Sequence, residues 1–145
     1  MHSNELKRTA PDELIAFSRQ HMNAVLSNVS GVDFVMLCSA DGFELASVYK
    51  KNRSNLGKLA AVSSSILAMV QAFVSEIDLH DCQNITLDAV NGKAILTAIP
   101  HPAYPMVMVV LSSKDVLLGQ LLYSIKKTVQ SIQQQPLHAV VHSLV

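Results

Sequence analysis

The chain contains no tryptophan, and aromatic residues make up only 5% of it. Its core must therefore be aliphatic, filled by Val, Leu, Ile, Met and Ala. Charge is also sparse, at 15% of residues, and eleven basic side chains balance eleven acidic ones. A neutral chain has no overall field to draw in a phosphate backbone, so nucleic acid is not an expected partner. Cys38 and Cys82 are the only cysteines, too few for a disulfide framework. Cys38 lies in an apolar run, where a free thiol behaves as a small hydrophobe. The stretch from Met1 to Pro11 is polar and lacks the apolar core of a secretory signal, so a cytoplasmic protein is expected. Gly-rich phosphate loops are missing too, which argues against nucleotide binding by this chain itself.

What is present is apolar material: 50% of 145 residues. That suffices for one folded domain and argues against disorder. We expect the domain at residues 11–135, a polar N-terminus at 1–10 and a short apolar tail at 136–145.

Along the chain, Pro11 suits the first turn of a helix, and Asp12 and Glu13 suit its positive end. Leu14, Ile15, Met22, Val25, Leu26 and Val29 then fall on one helical face, with Phe17 and His21 off it. Ser30-Gly31 ends that helix. Val32 to Cys38 is apolar apart from Asp33, as in a strand covered on both faces. Asp41-Gly42 is a hairpin signal, because a tight turn needs positive φ and Gly supplies it. Phe43 to Tyr49 is the return strand. A polar loop holding Lys50, Lys51 and Arg53 precedes a long helix from Asn55 to Ile77. Ile85 to Val90 alternates as a strand, Asn91-Gly92 is a second hairpin turn, and Lys93 to Ile99 returns. Pro100, Pro102 and Pro105 punctuate a loop before the apolar strand Met106 to Leu111. A last helix is expected to begin at Ser112-Ser113 and Asp115, with Leu118, Leu121, Leu122, Ile125, Val129 and Ile132 as its stripe. The order is α-ββ-α-βββ-α: an α/β (α+β) fold with a mostly antiparallel five-stranded sheet and helices on both faces. The runs at Val32 and Met106 are the expected central strands.

The long helix has a broad apolar arc of Leu59, Val62, Ile66, Met69, Val70, Phe73 and Ile77, extended by Leu56, Leu67 and Val74, wide enough to cover a sheet. Opposite it lie Gly57, Ala61, Ser64, Ser65, Ala68, Ala72 and Ser75. A solvent face normally carries Lys, Glu or Arg; here the charges are Lys58 and Glu76, one near each end. Small side chains let two helix backbones approach closely, so the expected neighbour is the same helix of a twofold-related chain. An Ala/Ser face left in solvent is the plainer alternative, since Ala is the best helix former. The run Leu59 to Ser75 is uncharged but short for a membrane span and interrupted by Ser and Gln, so membrane insertion is not expected.

At this point the sequence resembles the roadblock/LC7 family, in particular its bacterial MglB-like members. The resemblance rests on Val35-Met36-Leu37-Cys38-Ser39-Ala40-Asp41-Gly42-Phe43-Glu44-Leu45-Ala46-Ser47, then the small-residue helix, the Gly92 hairpin, and Leu118-Gly119-Gln120-Leu121. It spans roughly residues 12–132. It implies a profilin-like fold that dimerises through the second helix and third strand, which adds Ile85 and Leu87 to the interface. It also implies binding to a small Ras-like GTPase, as regulator or scaffold. Arg53, Lys58, Ser65 and Glu76 are the residues we expect at that partner surface. The resemblance implies no catalytic residue and no cofactor, so a non-enzymatic role is expected.

Other chemistry is weakly signalled. His80, Cys82 and His101 lack metal-ligand spacing. Asp41 is a turn residue beside Gly and needs no catalytic role. Ser63-Ser64-Ser65 has no Gly-rich elbow around it. His138 and His142 sit in the tail. If Arg53 served as an arginine finger, it would be the only Arg near the helix. Two other functions remain open: a ligand-sensing domain, which would need a pocket with convergent polar groups, and a self-assembly module without a GTPase.

Overall fold

The computed structural model of the protein describes residues 10–136. Expectations for residues 1–9 and 137–145, including His138 and His142, lie outside the described residues.

The elements run α1 (Asp12–Asn28), β1 (Val32–Ser39), β2 (Glu44–Tyr49), α2 (Leu56–Glu76), β3 (Asn84–Ala89), β4 (Gly92–Ile99), β5 (Met106–Ser112) and α3 (Leu118–Gln133). The order expected from sequence is the order found. The strands form one sheet, β2-β1-β5-β4-β3, and each neighbouring pair is antiparallel. The two strands without polar alternation, β1 and β5, lie inside it. The hairpin pairs β1–β2 and β3–β4 hang on either side of that centre.

Strand alternation divides the core into two layers. Val35 and Leu37 of β1, with Met108 and Val110 of β5, face α1 and α3. Phe34, Met36 and Cys38, with Val107 and Val109, face the other way, onto α2. Each fully buried aliphatic side chain of this kind contributes about 1.5–3 kcal/mol of transfer free energy. The α1/α3 layer is the larger one. The α2 layer is thinner, because a single helix lies on it.

The last helix begins later than its sequence suggests. Ser113 does not cap it. Its N–H bonds to the Gly31 carbonyl, continuing the β5 ladder beyond Ser112, and Val116 N–H then turns back to the Ser113 carbonyl. The helix starts at Leu118 with no side-chain cap at Leu117. Backbone pairing with the α1–β1 turn holds Ser113 as an extension of β5, short of the N-cap position at Leu117.

Candidate protein-binding surface

Helix α2 is 21 residues long and, by length and composition, is the one described helix apolar enough to cross a membrane. It lies along the sheet instead, with Ala60, Ser63 and Leu67 buried. Leu56, Leu59, Ile66, Val70 and Val74 are partly buried around that line. The helix is therefore turned by about a sixth of a revolution from the centre of its apolar arc, toward the Leu56, Leu67 and Val74 side. Val62, Met69 and Phe73, expected on the sheet, point outward; Met69 is 66% and Phe73 62% exposed.

The cause is the small-residue edge. Ala60 and Ser63 let α2 come down close to β1, and the β1–β2 turn packs beside them. A Cβ on Gly42 would lie 3.2 Å from Ala61 Cα and 3.9 Å from Ser64 Cβ. The Ser64 hydroxyl donates to the Ser39 carbonyl at 3.2 Å. Thus Ala61 and Ser64, two of the expected dimer residues, have contacts within their own chain. Gly57, Ala61, Ser65, Ala68, Ala72 and Ser75 are exposed, and Ser64 is half-buried.

The outer face of α2 therefore mixes small residues with Val62, Met69 and Phe73. Ile77 and Leu79 extend it past the helix end, and both are exposed. On the same sheet, β3 is the edge strand, paired on β4 alone. Ile85 is half-buried on the α2 side of the sheet and Leu87 is exposed. Edge strands of soluble proteins are usually blunted by charge, Pro or a covering element. On this edge the α2-side positions Ile85 and Leu87 are apolar, and Asn84, Thr86 and Asp88 take the other face. Exposed apolar residues in this number make the face a candidate contact site.

Lys58, Ser65 and Glu76 all stand on the outer line of α2, together with Met69 and Ala72. They lie within the apolar face rather than at its margin. Arg53 sits apart, in the loop before the helix, 3.7 Å from Asp33 Oδ1, while Lys51 Nζ is 3.9 Å from Asp33 Oδ2. Asp33 also anchors this loop through its backbone carbonyl, which accepts from Lys50 N–H at 2.9 Å and Lys51 N–H at 3.3 Å.

The remaining candidates serve the fold. The Ser39 hydroxyl donates to Asp41 Oδ1 and accepts from Phe43 N–H, which closes the Asp41-Gly42 turn. Ser63 is buried, and the Ser65 hydroxyl donates to the Ala61 carbonyl at 3.0 Å. His101 is buried, its Nδ1 accepting from Ala103 and Tyr104 N–H groups, each at 3.1 Å. His80 is exposed and Cys82 half-buried, and no group of three or more potential ligands gathers among the described residues. Cys38 is fully buried. That burial, with the Glu44 carboxylate adding to it, pushes its thiol up to about 12.

Sequence reasoning missed Val62, Met69 and Phe73 as surface residues. A helical wheel shows the width of an apolar arc but not which part of it meets the sheet. The signal that could have located them is the buried run Ala60, Ser63, Leu67, where small residues mark the closest approach.

Residues 20–112 match the Roadblock/LC7 domain. No curated protein sequence matches the chain. Among solved structures it is similar to the gliding protein MglB of Thermus thermophilus, with TM-score 0.76 and 13% identity over 87% of this chain and 93% of that one. MglB of Myxococcus xanthus gives TM-score 0.69 and 15% identity, covering 85% and 94%. An MglB described with a tetrameric arrangement gives TM-score 0.76 and 14% identity, covering 87% and 92%.

Proposed function

The chain belongs to the Roadblock/LC7 family, and from that premise we propose that it is a cytoplasmic, non-enzymatic regulator or adaptor that dimerises through α2 and β3 and binds a small Ras-like GTPase. The observation that carries the protein-binding part is the exposed apolar outer face of α2, with the edge strand β3 presenting Ile85 on the same side of the sheet. The GTPase comes from the family resemblance.

Two α2 helices packed antiparallel across a twofold axis would bury Ala68, Met69, Ala72 and Phe73 against their counterparts. Lys58 and Glu76 lie equally far from Leu67. An axis passing near that residue sets each Lys58 opposite the other copy's Glu76. The β3 edges would then meet beside the helices, joining two sheets. The similar MglB with a tetrameric arrangement supports self-association as a property of this fold.

The role is regulatory contact. Arg53 is tied to Asp33 at the end of its loop, so acceleration of hydrolysis would work by reshaping the GTPase's own site. The test is titration of the purified protein with Ras-like GTPases from the same genome, loaded with GDP or a non-hydrolysable GTP analogue. Saturation at one or two GTPases per dimer supports the reading. Absence of binding in both nucleotide states overturns it.

A further inference from the structure

We propose that the groove between α3 and the β3–β4 edge is a binding site for a small amphipathic carboxylate. It opens on the sheet face opposite α2, so it is independent of the dimer and GTPase reading. Its volume is about 370 Å³, within the range of small-molecule sites.

The groove exists because α1 and α3 do not reach the edge of the sheet. On that face β4 presents Ile95, Thr97 and Ile99, of which Ile95 and Ile99 are sealed in the core. Thr97 is only 5% exposed, lines the groove, and its hydroxyl has no hydrogen-bond partner. A buried hydroxyl left unpaired costs free energy, and a bound polar group would recover it. Valine at this strand position would have avoided that cost.

The surroundings define the ligand's chemistry. Leu122, Ile125 and Val129 of α3 form an apolar wall. Such a wall suits an aliphatic body. Amide side chains of Asn84, from the strand paired with Thr97, and Gln130, from the helix, stand at the rim. Among the described residues, Lys126 is the only charged side chain lining the groove, and no carboxylate lines it. That balance favours a negative head group that accepts from the Thr97 hydroxyl and is drawn by the Lys126 charge. This uncovered corner under β3 is where packing of the sheet stops.

Octanoate is the probe, with octanol as its uncharged counterpart, followed by amide and methyl chemical shifts of the full-length protein. Octanoate is expected to produce saturable shifts at Thr97, Ile125 and Val129 and none on the outer face of α2. Thr97→Val should keep the fold and weaken octanoate about tenfold, the worth of one buried hydrogen bond. Lys126→Gln should weaken octanoate about threefold and leave octanol unchanged. No shift at millimolar octanoate overturns the proposal. So does octanol binding as tightly as octanoate, unaltered binding in Thr97→Val, or groove shifts that grow with protein concentration alone, which would mark a contact between copies.

Discussion

Gly42 sits against Ala61 so closely that a Cβ on the glycine would lie 3.2 Å from the Ala61 Cα. The same glycine has φ +99°, a conformation that side chains disfavour. One residue therefore both closes the β1–β2 turn and sets how near that turn comes to α2. Gly42→Ala should destabilise the protein by about 1–3 kcal/mol, through backbone strain and the crowded contact together. Urea unfolding checks this, with a lower midpoint at unchanged slope expected.

The two thiols should differ in reactivity. Cys38 is buried, its thiol pushed up to about 12, so it stays protonated and shielded at neutral pH. Cys82 is half-buried, its Sγ donating to the Asn84 carbonyl at 3.5 Å. Titration with a thiol-specific reagent should find one reactive group in the native protein and two in denaturant.

Asp88 and Lys93 form an ion pair at 2.8 Å across the β3–β4 hairpin. The hydrogen bond from Lys93, and next its charge, hold the Asp88 carboxyl below its usual value. Because the folded pKa is lowered, any stability the pair supplies is present above the ordinary carboxylate pKa and is lost as pH falls through the folded one. NMR titration should place Asp88 below a free Asp. Lys93→Met should bring it back up, with little change in stability because the carboxylate is exposed.

Lys58 and Glu76 offer a test of helix register. Lys58→Glu alone should weaken self-association by setting like charges opposite each other, and so should Glu76→Lys. The double variant restores opposite charges and should recover it. A cycle by sedimentation with no recovery would place the twofold axis away from Leu67.

Much of this architecture is legible in the residues. Asp41-Gly42 and Asn91-Gly92 mark both hairpins, and the unbroken apolar runs of β1 and β5 identify strands covered on both faces. Other features depend on contacts that no local pattern carries. Ser113 is held in the sheet by its backbone bond to Gly31, and the helix begins only after Leu117. His101, in a proline-rich loop, is buried because its ring gathers the amides of Ala103 and Tyr104. The small and large residues of α2 were both visible. Their assignment to inside and outside was not, since it depends on how closely Ala60 and Ser63 let the helix approach the sheet. The exposed face of α2 is accordingly broader and more apolar than a strip of Ala and Ser.

The central claim is that this outer face meets a second copy of itself. Sedimentation equilibrium of Ala68→Glu tests it most directly, because Ala68 is exposed and a charge there leaves the chain's own core untouched. The account predicts a dimer for the unaltered protein and a folded monomer for the variant. A variant as dimeric as its parent would contradict it.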